Sequence, residues 1–90
     1  MPRPAPSHSE IRSFLVRLLH ELGKIPLEKI HDESTVDGEL QMQSVVFIEI
    51  QVALEDAYEV ELDPVRIVEI NRFSAIVNYI YDSIAEPLSR

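Results

Sequence analysis

The chain has 90 residues, close to the ~100–150 common for one compact domain, which excludes a multi-domain enzyme. Hydrophobic residues make up 46% and aromatic residues 7%, with no tryptophan and no cysteine; the expected core is aliphatic, without disulfide, thiolate metal site or thiol nucleophile. Eight basic against sixteen acidic side chains give a net charge of −8, which opposes phosphate backbones and anionic bilayers and argues against nucleic acid or membrane as a partner.

Residues 1–6, with Pro2, Pro4 and Pro6, hold no helix and read as a flexible Pro-rich tail. They lack an apolar signal-peptide stretch, and no run of about 18 apolar residues occurs elsewhere, so a soluble cytoplasmic protein is expected. Ser7-His8-Ser9-Glu10 has the form of a capping box. Behind it Ile11, Phe14, Leu15, Leu18, Leu19 and Leu22 repeat at the spacing of one helical face. That helix is expected to stop near Leu22, with Gly23 in the left-handed position and Pro26 barring continuation.

From Ile25 to Gln43 the apolar period is lost, and Asp32, Ser34, Asp37 and Gly38 supply turn chemistry. A long connection is expected, with one helical turn at Leu27–Ile30 and with Ile25, Ile30, Val36 and Leu40 as inward pins. The acidic run around Gly38 is not a calcium loop, because the position for the closing glutamate falls on Ser44. The spacing predicts a second helix over Ser44–Tyr58, with Ser44 able to cap it and Ile50, Ala53, Leu54, Ala57 and Tyr58 as its core stripe. Val45, Val46, Phe47, Ile48 and Val52 lie partly outside that stripe.

Val60 and Leu62 read as an extended connector. Asp63-Pro64 has the form of a cap followed by proline at the first helical position, which opens a short third helix through Ile70. Asn71 is then a candidate cap for a last helix carrying Phe73, Ile76, Val77, Ile80 and Ile84, closed by Pro87. The expected fold is all-α: a small four-helix bundle of three longer helices and a short third one, with a long loop between helices 1 and 2. Residues 7–86 form its domain and residues 87–90 a C-terminal tail.

His8, His20 and His31 share no metal-binding spacing, and no metal site is expected. The charge pattern is more informative. Ten of the sixteen acids lie between Ile30 and Val65, a stretch without lysine or arginine. A solvated helix face explains acids but not the exclusion of every base, so basic partner surfaces are expected. On the second helix Glu49 and Glu55 are the charges for such a partner to read, with Val45, Ile48 and Val52 as apolar contacts beside them. Val46 and Phe47 are expected to face a partner or cargo rather than the core, the alternative being that Phe47 turns inward and seals the long loop.

The run from Leu40-Gln41-Met42-Gln43-Ser44 through Val45-Val46-Phe47-Ile48-Glu49-Ile50 to Ala53-Leu54-Glu55-Asp56-Ala57-Tyr58 resembles the attachment segment of acyl carrier proteins. In that family Leu-Gly-x-Asp-Ser-Leu is followed by Val-Glu-Leu and an Ala-Leu-Glu-Glu run ending in an aromatic. Val60-Glu61-Leu62-Asp63-Pro64 is similar to the family's connector, and the likeness spans about residues 8–85. It implies that Ser44 is esterified by 4′-phosphopantetheine, put there by a phosphopantetheinyl transferase. It also implies that the chain is not itself an enzyme but a carrier, expected to be monomeric, which loading enzymes and downstream synthases visit in turn.

An anion at a helix N-terminus is physically favoured, and the working thiol would lie on the attached arm, which suits a chain without cysteine. Gln43 stands where the family usually has Asp, Gln41 where it has Gly, and Val45 where it has Leu. Gln43, Val46 and Phe47 point to polyketide, nonribosomal peptide or another specialised pathway rather than to fatty-acid synthesis. The rival from another class is an unmodified acidic adaptor docking through the second helix, with Ser44 a plain cap.

Overall fold

Among residues 6–85, which the computed structural model describes, helix formation starts where the Ser7 hydroxyl accepts a hydrogen bond from the Glu10 N–H at 3.0 Å. Helix α1 runs His8–Glu21 and buries Ile11, Leu15, Leu18 and Leu19, four of the six positions that its spacing predicts; Phe14 is half-buried, and Leu22, just past the helix, is exposed. Its exit corrects one expectation: the left-handed residue is Lys24, with φ 59°, and not Gly23. Gly23 serves a close approach instead, since a Cβ there would stand 2.6 Å from the Leu19 carbonyl oxygen.

The long connection contains one 3-10 turn, Leu27–Lys29, and is pinned by buried Ile25, Ile30 and Leu40 and half-buried Val36. Ser34 is fully buried; its hydroxyl donates to the Lys29 carbonyl at 2.6 Å and accepts from the His31 N–H at 3.0 Å. The same loop is stitched to residues much later in the chain. Val36 N–H donates to Asn71 O at 2.9 Å, Phe73 N–H donates to Ser34 O at 2.7 Å, and Thr35 pairs with Arg72 in an isolated antiparallel bridge.

Helices α2 (Ser44–Tyr58), α3 (Pro64–Ile70) and α4 (Phe73–Ala85) complete the fold, and the described residues contain no strand beyond that bridge. Asp63 caps α3, its carboxylate accepting from the Val65 N–H at 3.0 Å, with Pro64 next to it as expected. Asn71 does not cap α4. It ends α3 with φ 69°, and its side chain donates to the Asp37 carboxylate at 3.2 Å while accepting from the Asp37 N–H at 3.3 Å. The two-way contact explains why a polar residue tolerates a left-handed backbone there.

The core is aliphatic apart from Phe73, which is fully buried with the Arg12 guanidinium 5.2 Å from its ring centroid. Packing is most extensive between α1 and α4, with α3 set against α4 and α2 against α1. The expected tails and the closing role of Pro87 fall, Pro6 apart, outside the described residues. Among the described residues no helix is long and apolar enough to cross a membrane.

Candidate functional site

The loop delivers the chain to α2 through buried Leu40 and half-buried Met42, with Gln41 donating from its side chain to the Asp37 carbonyl at 3.1 Å. Gln43 holds the N-cap position in extended conformation, φ −68° and ψ 151°, and no side chain caps the helix. This corrects the expectation for Ser44. It is the first helical residue, exposed, and its hydroxyl is not used as the cap. The Phe47 N–H bonds to the Gln43 carbonyl at 3.0 Å, whereas the three preceding N–H groups belong to the turn that a helix leaves without internal partners. No acidic residue lies in that turn, so its partial positive charge is not offset locally.

Beyond Ser44 the helix surface divides in two. Val45, Ile48 and Val52 are 60%, 44% and 45% exposed and form one stripe, with exposed Glu49 a turn from Val45 and Val52. Val46 and Phe47 do not belong to it: both are half-buried and pack against the core, which corrects the expectation that they face away from it. Their positions fall between the exposed stripe and the side of α2 that carries Ile50 and Leu54.

Glu55, expected among the charges read by a partner, is engaged within the molecule. It is half-buried, and one oxygen of its carboxylate accepts from the Leu62 N–H at 2.8 Å and from the Gln51 side chain at 3.3 Å. Glu55→Ala strands a part-buried donor on Leu62, and a loss of about 1–3 kcal/mol is expected in chemical denaturation. A loss below about 0.5 kcal/mol would return Glu55 to the outer surface.

Gln51 has no role in the sequence expectation, although one amide among Ile50, Val52 and Ala53 is the signal that marks it. Its Nε2 donates to the Leu62 carbonyl at 3.0 Å, which with Glu55 clamps the α2–α3 connector. Two titrating groups are perturbed. Hydrogen bonds from its own N–H and that of Thr35 hold the Glu39 carboxyl below its ordinary range, while burial, helped by Glu10, pushes the Tyr58 hydroxyl up. No group of three histidine, aspartate or glutamate side chains among the described residues is placed to hold a metal ion.

A family model described as the phosphopantetheine attachment site matches residues 13–80. An acyl carrier protein of Thermobifida fusca (strain YX) is 26% identical over 74 residues, which cover 82% of this chain and 94% of that protein. No solved structure matches the chain significantly.

Proposed function

The chain belongs to the phosphopantetheine attachment-site family, and from that premise we propose that it is a discrete acyl carrier protein with Ser44 as the attachment residue. The observation that carries this reading is the exposed Ser44 hydroxyl on an uncapped, uncharged first turn. The residues fit the group: the N–H groups of Ser44, Val45 and Val46 lie where a phosphodiester is favoured, and no acid opposes it in that turn. When bound, the group supplies the thiol on which an acyl or aminoacyl cargo travels as a thioester. Ser44 has no general base of its own, in keeping with activation by a separate transferase and with a chain that carries rather than catalyses.

Residues 7–86 act in this reading as one monomeric cytoplasmic carrier domain. We assign it to polyketide, nonribosomal peptide or another specialised assembly on Gln43, which replaces the aspartate usual just before the serine, and on the apolar Val46 and Phe47. Incubation with a broad-specificity phosphopantetheinyl transferase and coenzyme A is expected to add one phosphopantetheine by intact mass. An unmodified chain would favour the adaptor.

Basic surfaces of the transferase and of the loading and downstream enzymes would meet Glu49 together with Val45, Ile48 and Val52. Exposed charges act over about a Debye length, ~8–10 Å near physiological salt. Association of a loading enzyme is therefore expected to slow several-fold in Glu49→Lys, and the gap between the variants to close as salt is raised. Equal on-rates at low salt would remove Glu49 from the docking surface.

A further inference from the structure

The junction between α3 and α4 turns on one residue. Asn71 stands at φ 69° and ψ −39°, and the Arg72 N–H donates across it to the Ile70 carbonyl at 2.7 Å, so Asn71 is the centre of a three-residue γ-turn of the rare, positive-φ form. Glycine adopts such a turn without cost, whereas a residue with a side chain is kept in it only where its surroundings over-determine it.

The surroundings here are the loop that leads to α2. Asn71 makes three hydrogen bonds to it: its carbonyl accepts from the Val36 N–H at 2.9 Å, its Oδ1 accepts from the Asp37 N–H at 3.3 Å, and its Nδ2 donates to the Asp37 carboxylate at 3.2 Å. The hold then passes along the loop. The Asp37 carbonyl accepts from the Gln41 side chain at 3.1 Å, and the Gln41 N–H donates to the Gly38 carbonyl at 3.3 Å. Gln41 lies three residues before Ser44, at most ~10 Å of extended chain. Between them stand half-buried Met42 and exposed Gln43, whose side chain does not cap the helix.

Ser44 therefore has two kinds of support. Its helix is fixed by Ile50 and Leu54 in the core. From Asp37 to Ser44 the one buried side chain is Leu40, and the Asn71–Asp37–Gln41 bonds hold the rest. Segments held by exposed hydrogen bonds open locally without unfolding the domain, so these bonds govern where the segment lies more than whether the chain folds.

We propose that Asn71, acting through Asp37 and Gln41, is a positioning residue for the modification of Ser44. This rests on the reading of Ser44 as the attachment residue. In that transfer Ser44 Oγ forms a bond to the pantetheine-bearing phosphorus of coenzyme A, the P–O bond to adenosine bisphosphate breaks, and the serine proton passes to a base of the transferase. The oxygen must lie in line with the breaking bond, and a displacement of ~1 Å can cost about 100-fold in rate. Val45, Ile48, Glu49 and Val52, through which α2 would dock, belong to the helix itself, so the latch acts on kcat and not on KM.

The test follows initial rates of phosphopantetheine addition by intact mass, at saturating coenzyme A and over a range of carrier concentrations. Asn71→Gly accepts the turn but lacks the side chain; it is expected to melt close to wild type and to lose about ten-fold in kcat at unchanged KM. Gln41→Ala, at an exposed position where folding is not at stake, is expected to lower kcat in the same way. Asn71→Asp sets two carboxylates against each other and is expected to lose at least as much as glycine. Adding Asp37→Asn restores a donor opposite the new carboxylate and is expected to recover kcat.

Wild-type kcat in Asn71→Gly or in Gln41→Ala overturns the assignment. A loss carried by KM overturns it too, by making these residues part of the docking surface, as does an exchanged pair that fails to recover. If the glycine variant is unfolded at the assay temperature, Asn71 is structural and the assignment falls. Absence of any addition to wild type overturns the carrier reading itself, and this assignment with it.

Discussion

Intact-mass analysis of Ser44→Ala after incubation with the transferase and coenzyme A is expected to show no phosphopantetheine at all, against complete conversion of wild type. The same variant is expected to unfold within about 0.5 kcal/mol of wild type, as substitutions on an open surface usually do. Both halves follow from one placement: Ser44 is exposed, lies inside the helix and leaves the N-cap position to Gln43. Alanine at the first helical position removes the only nucleophile required and lowers no packing; its helix propensity is if anything better. A destabilisation near 1–2 kcal/mol would instead identify Ser44 as a capping residue, the role that the adaptor requires. Residual modification would place the attachment on another hydroxyl.

Phe73→Ala is expected to cost about 3–5 kcal/mol, the range for truncating a fully buried aromatic. At roughly 0.05–0.15 kcal/mol per residue, the whole stability of a domain this size is about 4–13 kcal/mol, so the variant forfeits between roughly a quarter and all of it. The ring closes one wall of a central cavity and lies beneath Arg12, while its backbone N–H holds Ser34 at 2.7 Å. Urea denaturation of Phe73→Ala beside Phe73→Leu separates volume from backbone: leucine keeps most of the fill and is expected to lose much less. A cost under about 1 kcal/mol for alanine would mean that the cavity collapses freely around the site.

The helices are legible in the sequence where the punctuation is chemical. Ser7, Pro26 and the Asp63-Pro64 pair act through hydrogen bonds or ring geometry confined to a few residues, so α1 and α3 end and begin where local chemistry dictates. The pins Ile25, Ile30, Val36 and Leu40 are legible for a different reason: apolar residues in an otherwise polar loop have only the core to go to. Asn71 is not, because its partner Asp37 lies 34 residues away and no local rule relates the two. Glu55 misleads for the same reason. Charge marks it for the surface, and only the fold brings the Leu62 N–H within 2.8 Å.

In the site, the position of Ser44 at the start of α2 is visible from pattern, whereas its freedom from capping depends on the extended backbone of Gln43. Val46 and Phe47 show the limit of a helical period in a nearly all-apolar helix: when ten of fifteen residues of α2 are hydrophobic, spacing no longer separates core from surface. Neighbouring elements decide, and here α1 packs against one side while Val45, Ile48 and Val52 are left outside.

The dominance of the α1–α4 contact also has a consequence for biosynthesis. On the ribosome the apolar face of α1 emerges early, but the surface that covers it comes from residues 73–85, after α2 and α3 have been made. Contacts so distant along the chain are rewarded only once the intervening loop closure has been met, so the nascent chain gains little by ordering in stages. Packing waits for α4. An enzyme that recognises α2 as a helix on a packed domain therefore finds its substrate only after α4 has emerged, rather than when the serine does.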